Sequence, residues 1–131
     1  MSIMRCYGVL AGVMVLATAC GGGSSGPKAG TPEAALESAV RAYSAAIVGG
    51  NGAMAFQLES ERCQQIVDAG ASAAQAAQAK ANYPGATIKS LKVDDVTGSK
   101  AHVTYTYADT VLDQTRKAWL NESGSWHWNA C

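Results

Sequence analysis

The chain has 131 residues, which is the length of about one domain. Ten Lys and Arg residues balance ten Asp and Glu residues, which excludes both the basic surface of a nucleic-acid-binding domain and an acidic tail. Charged residues make up only 15% of the chain and hydrophobic residues 48%, a composition that excludes wholesale disorder.

The first twenty residues have the pattern of an export signal. Arg5 precedes an uncharged stretch from Cys6 to Ala19, which as a helix would be roughly 21 Å long and too short for a hydrocarbon core of about 30 Å. The segment 16–20, LATAC, resembles the lipobox of bacterial lipoproteins, in which the cysteine thiol is joined to a diacylglyceryl group and the signal is cut just before it. The resemblance implies a signal peptide over residues 1–19 and lipidation at Cys20, with palmitate as the expected acyl group.

An ordinary secretory signal, cut after Ala17 or Ala19 with Cys20 incidental, is the alternative. The Gly/Ser-rich stretch directly after Cys20 favours lipidation. Two or more acyl chains anchor a protein stably, and a flexible linker of ten residues has an r.m.s. reach on the order of 16–19 Å. We therefore expect residues 20–30 to be a lipidated tether that holds a domain at the extracytoplasmic face of the cell membrane.

Two of the four cysteines are left to pair in the mature chain. Cys6 leaves with the signal and Cys20 carries lipid, which leaves Cys63 and Cys131. An exported compartment permits disulfides, so we predict a Cys63–Cys131 bond that closes a loop of roughly 70 residues. Two free thiols or a metal pair are the alternatives, but no CxxC and no nearby histidine supports a metal. We expect neither a metal nor a cofactor.

The first half of the mature chain predicts four helices. Thr31, Pro32 and Glu33 start the first, Asn51 and Ser60 cap two short ones, and the Ser72–Gln75 capping box starts a fourth that runs to Tyr83. The fourth is alanine-rich with little bulk to bury, so we expect a solvated edge helix, with a partner-binding helix as the alternative. The apolar residues of the first three helices, in chain order, are Leu36, Val40, Tyr43, Ile47, Met54, Phe56, Leu58, Ile66 and Val67.

After Pro84 and Gly85 the pattern changes to one typical of strands. Strands are predicted over 87–96, 101–107, 114–120 and 125–130, with turns at 97–100 and 122–124. Val103, Tyr105 and Tyr107 alternate onto one face of the second strand. Helices followed by a four-stranded antiparallel meander predict an α+β fold in which the helices cover one face of the sheet.

The domain from Thr31 to Cys131 resembles the nuclear-transport-factor-2-like superfamily and, more narrowly, small actinobacterial lipoproteins of unassigned function. The resemblance is carried by the Thr-Pro-Glu helix start, by Gly-Gly-Asn before the second helix, and by the ending Trp119-x-x-Glu122-x-Gly124-x-Trp126-x-x-x-x-Cys131. It implies N-terminal helices packed in the concavity of a curved sheet, with a pocket between the two layers. It also implies a homodimer through the open sheet face as one arrangement.

Three tyrosines are the candidate ligand-binding residues of that pocket: Tyr43 on the first helix, and Tyr105 and Tyr107 on the second strand. Their alternative role is packing. We expect Trp126 and Trp128 to seal the core. The remaining polar candidates are expected on the solvated surface: Asp94, Asp95, His102 and His127.

The sequence places no common catalytic or nucleotide-binding motif in the context that such a site requires. Gly-x-Ser-x-Gly and GxGxxG occur only in the Gly/Ser run 21–26, which no predicted strand precedes, so we interpret that run as a tether, and the Walker loop is absent. Asn51 stands where many members of the superfamily carry Asp, and an amide is no general base. We therefore expect a non-enzymatic protein that binds a small apolar ligand or a protein partner at the cell envelope. One alternative is an accessory subunit that docks another envelope protein through its sheet, and another is an isomerase-like enzyme with a buried ionisable group in the pocket.

Overall fold

The computed structural model describes residues 30–131, so the predicted signal peptide, Cys20 and most of the tether lie outside the described residues. The described part has four helices followed by four strands. The sheet is an open antiparallel meander in the order β1-β2-β3-β4. The elements are α1 (Pro32–Val48), α2 (Gly52–Gln57), α3 (Glu61–Ile66), α4 (Ala69–Asn82), β1 (Ile88–Thr97), β2 (Lys100–Tyr107), a 3-10 turn (Thr110–Leu112), β3 (Gln114–Glu122) and β4 (Ser125–Trp128). This confirms the predicted α+β class, with helices packed on a curved four-stranded sheet.

Helix α1 forms as its sequence predicts. The Thr31 hydroxyl accepts a hydrogen bond from the Ala34 backbone N–H at 3.2 Å, and proline occupies the first turn, where its missing N–H costs nothing. Leu36, Val40 and Tyr43 are buried against the sheet. The helix ends at Gly49, and Gly50 then adopts φ +77°, a conformation that glycine enters without steric cost. Asn51 and Ser60 cap α2 and α3, which confirms both predicted starts.

The predicted start of α4 is wrong. Asp68, not Ser72, caps the helix by accepting a hydrogen bond from the Ala71 N–H at 2.7 Å. The Ser72 side chain is fully buried and its hydroxyl donates to Glu59 at 3.1 Å, so it serves a tertiary contact instead of a cap. The helix is solvated over most of its surface as expected, with Ser72, Ala76 and Ala79 as its buried residues. On its packed side, Gly52 of α2 lies directly against the backbone of Ala73.

The sheet follows the predicted alternation. Ala101, Val103, Tyr105 and Tyr107 of β2 are buried, while the residues between them are half-buried. Three strands end differently from the prediction: β1 continues to Thr97, β3 continues to Glu122, and β4 stops at Trp128. The pairing of β1 with β2 shifts register between Val93 and Asp95, and the pairing of β2 with β3 shifts register between Val103 and Tyr105. Such irregularities bend a sheet.

Backbone hydrogen bonds and a disulfide join the C-terminal segment to the helical part of the fold. The Ser60 N–H donates to the Trp128 carbonyl at 2.8 Å and the Trp128 N–H to the Leu58 carbonyl at 2.9 Å, so the segment before α3 runs parallel to the edge strand β4. Cys63 and Cys131 form a disulfide with their Cα atoms 5.6 Å apart, which confirms the predicted pair. Within residues 30–131, the helices are too short or too polar to cross a bilayer.

Candidate functional site

A cavity of about 330 Å³ lies between the helices and the inner face of the sheet. It brings together all three tyrosines that the sequence singled out. Helices α1 and α4 form one wall and the sheet forms the other, so the site rests on regular elements. The lining residues are Tyr43, Ser44, Ile47 and Val48 of α1, Gln75, Gln78, Ala79 and Asn82 of α4, Tyr105, Tyr107, Gln114 and Trp128 of the sheet, and the connecting residues Tyr83 and Leu112.

Aromatic packing fixes the inner part of the cavity. The Tyr43 ring stacks on Trp128 with ring centroids 4.9 Å apart and meets the edge of Trp119 at 5.9 Å. Trp119 and Trp128 are themselves in edge contact at 5.8 Å. Trp126 is buried in the core as expected, whereas Trp128 is only half-buried. Trp128 therefore both packs against the core and presents a face to the cavity.

The three tyrosine hydroxyls differ in their partners. The Tyr107 hydroxyl shares a hydrogen bond with the Ser44 hydroxyl. The side chains of Tyr43 and Tyr105 are only 6% and 2% exposed, and neither hydroxyl makes a hydrogen bond within residues 30–131. Neither oxygen is fully enclosed by protein atoms, and both tyrosines line the cavity. Both hydroxyls therefore reach the open volume of the cavity.

Burial keeps these phenols neutral. Desolvation raises the pKa of Tyr43 and of Tyr105 far above the usual value of 10, and the nearby tyrosines raise each pKa further. Desolvation also raises the pKa of Tyr107, although the bond from Ser44 partly opposes the shift. At neutral pH the cavity therefore holds O–H groups that can donate hydrogen bonds.

Amide side chains form the mouth of the cavity. Gln75, Gln78 and Asn82 follow one another at spacings of three and four residues, which places them on one face of α4. All three are exposed, and Gln114 from β3 contributes a fourth amide. Sequence reasoning missed this set because amides on an alanine-rich helix look like an ordinary solvated face. No Asp, Glu, Lys, Arg or His lines the cavity in the described part of the chain.

Glu59 is a buried acid that the sequence did not single out. It is 4% exposed, its Oε1 accepts a hydrogen bond from Ser72 at 3.1 Å, and its Oε2 has no partner in residues 30–131. Desolvation raises the pKa of Glu59, and the bond from Ser72 partly opposes the shift. Glu59 is close enough to Tyr43 that its charge raises the pKa of that tyrosine, but it is not one of the residues that line the cavity.

Asp95 keeps 40% side-chain exposure and lies on the surface as predicted, whereas Asp94 keeps only 10%. Asp94 accepts a hydrogen bond from the Thr104 hydroxyl at 2.6 Å, and Asp95 contacts both His102 and Arg116 at 2.9 Å. The hydrogen bond from His102 is the main cause of the lowered pKa of Asp95. The register slip between Val93 and Asp95 accounts for these neighbouring contacts, because a bulge puts two successive side chains on one face.

The two histidines also depart from a plain surface position. His102 is held by Asp95, and His127 is half-buried with its Nδ1 enclosed and unpartnered among the described residues. Neither histidine lines the cavity. Within residues 30–131, no group of three or more His, Cys, Asp or Glu side chains is arranged to hold a metal ion.

No family model, curated protein or solved structure matches the chain. The function is therefore inferred from the cavity and from the sequence.

Proposed function

We propose that this protein is a lipid-anchored, non-catalytic lipoprotein of the bacterial cell envelope, similar to nuclear-transport-factor-2-like domains, that binds a small apolar ligand in the tyrosine-lined cavity. The observation that carries the proposal is the pair of hydroxyls on Tyr43 and Tyr105, which belong to largely buried residues, reach the open cavity and have no hydrogen-bond partner in residues 30–131. A ligand that enters the cavity must replace the hydrogen bonds that water can make with these groups. A ligand with an acceptor atom at this position does so.

The size and lining of the cavity suit a small molecule. Its volume of about 330 Å³ falls at the lower end of the range for ligand pockets, roughly 300–1,000 Å³. Ile47, Val48, Leu112 and Trp128 supply apolar surface, and the tyrosine hydroxyls, Ser44 and the four amides supply polar groups. This lining suits a ligand that has an apolar body and hydrogen-bonding groups of its own.

Binding is favoured over catalysis by the chemistry of the lining side chains. The lining contains no Asp, Glu, His, Lys or Arg among residues 30–131, and burial raises the pKa values of Tyr43, Tyr105 and Tyr107, so these phenols are not general bases at neutral pH. Glu59, the nearest acid with a shifted pKa, lies outside the lining. An isomerase-like reaction would require that carboxyl to reach the ligand.

Docking of a partner through the outer sheet face has less support. That face carries the hydrogen-bonded groups of Asp94, Asp95, His102 and Arg116. The large hydrophobic side chains that are exposed in residues 30–131 are Met54, Ile66 and Val111, and none of them lies on a strand.

The anchor is proposed from the sequence. The LATAC segment supplies Cys20 for lipidation, and about ten Gly/Ser-rich residues separate it from Pro32, where α1 begins. Such a tether keeps the cavity within a few tens of ångströms of the membrane, where apolar molecules concentrate.

The ligand can be sought directly in protein purified in lipid nanodiscs from its own membrane. Mass spectrometry of an organic extract should show one small molecule in amounts stoichiometric with the wild type. Ala79→Trp, which fills the cavity, should remove that molecule. Ala77→Trp is the matched control, because Ala77 is exposed on the same helix and does not line the cavity.

A melting curve of each variant establishes that it is folded, and Ala79→Leu provides a milder obstruction if the tryptophan variant is not. A wild type that carries no small molecule, or equal amounts in the wild type and in a folded Ala79 variant, would refute the proposed function.

A further inference from the structure

We infer that the ligand is an uncharged molecule whose carbonyl or ether oxygen accepts hydrogen bonds from the Tyr43 and Tyr105 hydroxyls. This inference rests on the proposed function and narrows it to a chemical class. It follows from the available donors and from the charges that the cavity lacks.

The tyrosine hydroxyls of the cavity determine which atom the ligand must present. The hydroxyl of Tyr107 is committed to Ser44, whereas the hydroxyls of Tyr43 and Tyr105 have no partner in the described part of the chain. A neutral phenol donates one hydrogen bond and a carbonyl or ether oxygen accepts up to two. Tyr43 is close enough to Tyr105 to contribute to the raised pKa of that phenol, so one ligand oxygen bound between the two hydroxyls would satisfy both donors at once.

The lining carries no charged side chain that would pair with an ionic ligand. No lysine, arginine or histidine among residues 30–131 lines the cavity, so a carboxylate or phosphate held there would be desolvated without a counter-ion. Arg41 lines a neighbouring cavity of about 200 Å³ that shares Ser44 with the tyrosine cavity. No acid lines the tyrosine cavity, so a cationic ligand would have the aromatic faces, and no carboxylate, as its partners.

The amides at the mouth extend the selection to the outer end of the ligand. Gln75, Gln78 and Asn82 each offer both a carbonyl acceptor and an NH₂ donor. Uncharged polar groups such as a hydroxyl or a second carbonyl fit this set. The inner contacts therefore select for an oxygen acceptor, and the outer contacts tolerate any neutral polar group.

Three naphthalene probes of nearly equal shape separate these features. 2-Acetylnaphthalene carries a neutral acceptor oxygen, 2-ethylnaphthalene carries none, and 2-naphthoate carries a negative charge. Each is titrated calorimetrically into the full-chain protein in nanodiscs, with empty nanodiscs as the blank that removes lipid partitioning. The wild type is compared with the double variant Tyr43→Phe/Tyr105→Phe, which keeps both rings and removes both hydroxyls.

We expect the wild type to bind 2-acetylnaphthalene about tenfold more tightly than either of the other probes. The double variant should lose that tenfold preference and should bind 2-ethylnaphthalene at least as tightly as the wild type does, because it has no hydroxyls for the apolar probe to leave unpaired. Retained binding of the apolar probe shows that the variant keeps the cavity, so the lost preference is assigned to the hydroxyls.

Three results would overturn the inference while leaving the proposed function intact. They are equal affinity of the wild type for the acetyl and ethyl probes, tighter binding of 2-naphthoate, and an acetyl preference that survives in the double variant. Failure of all three probes to bind the wild type would instead contradict the proposed function, and the inference with it.

Discussion

Breaking the Cys63–Cys131 disulfide should lower the free energy of unfolding by about 4 kcal/mol. The bond joins α3 to the last residue of the chain, with 68 residues of sequence separation. It lies beside the contacts that hold Trp128, the half-buried ring that forms part of the cavity wall. The perturbation therefore tests stability and the integrity of the site together.

The magnitude follows from the loop that the bond closes in the unfolded chain. In the chain-entropy description, a loop of about 70 residues removes roughly 15 cal/mol/K of unfolded-state entropy, which is about 4 kcal/mol at 25 °C. For a domain of about 100 residues, a change of this size shifts the melting temperature by about 20 °C. We expect the polar contacts around the bond to remain when it is broken: Ser60 bonds Asn129 at 2.7 Å and Arg62 bonds the Asn129 carbonyl at 2.8 Å. They act in the folded state and so do not alter the estimate.

Denaturant unfolding of the oxidised wild type, the reduced wild type and Cys63→Ala/Cys131→Ala would measure the effect. Reduction breaks the bond and leaves both sulfurs in place, whereas the double variant also removes a fully buried Sγ at Cys63. We expect the reduced protein to lose about 4 kcal/mol and the variant to lose slightly more.

Equal free energies of unfolding for the oxidised and reduced wild type, within about 0.5 kcal/mol, would refute the reasoning. The ligand probe 2-acetylnaphthalene should bind both folded forms, with weaker binding in the reduced form if the Trp128 wall loosens.

Three further perturbations have defined outcomes. The pKa of Glu59 lies above its ordinary 4.5 in the folded state, so the folded protein binds more protons than the unfolded chain does. The free energy of unfolding should therefore fall as the pH rises from about 4.5 through the raised pKa. In urea titrations across pH 4–8, Glu59→Gln should remove this decrease with pH, and an unchanged pH dependence in the variant would contradict the prediction. Gly52→Ala puts a Cβ within 2.3 Å of the Ala73 Cα and should destabilise the domain by about 1–3 kcal/mol in thermal melts, whereas full wild-type stability would show that α2 and α4 do not pack so closely. Cys20→Ser should abolish metabolic labelling with palmitate and release the protein from the membrane fraction, and persistent labelling would exclude Cys20 as the lipidation site.

Local signals in the sequence were sufficient where a single pattern decides the structure. Thr31 and Pro32 fix the start of α1, and strict alternation fixes which side of β2 faces the helices. The disulfide followed from counting cysteines, because only two remained to pair.

The failures arose where two local signals compete or where burial depends on distant packing. Asp68 and Ser72 are both good helix caps, and only the buried position of Glu59 explains why Ser72 donates to that acid instead. Glu59 itself has no periodic signal, because it lies between two helices and its contact with α4 is made through Ser72, which is distant in sequence. The three tyrosines could be proposed for one pocket, but the amide set of α4 could not, since exposed glutamines carry no sign of what they face.

A crystal structure of the protein isolated from its own membrane, with no ligand added, would test the central claim most directly. We expect density for an uncharged molecule in the tyrosine cavity, with one of its oxygens about 3 Å from the hydroxyls of both Tyr43 and Tyr105. A cavity closed by side chains, or one holding only water that bridges the two hydroxyls, would contradict the claim that this protein binds a small apolar ligand there.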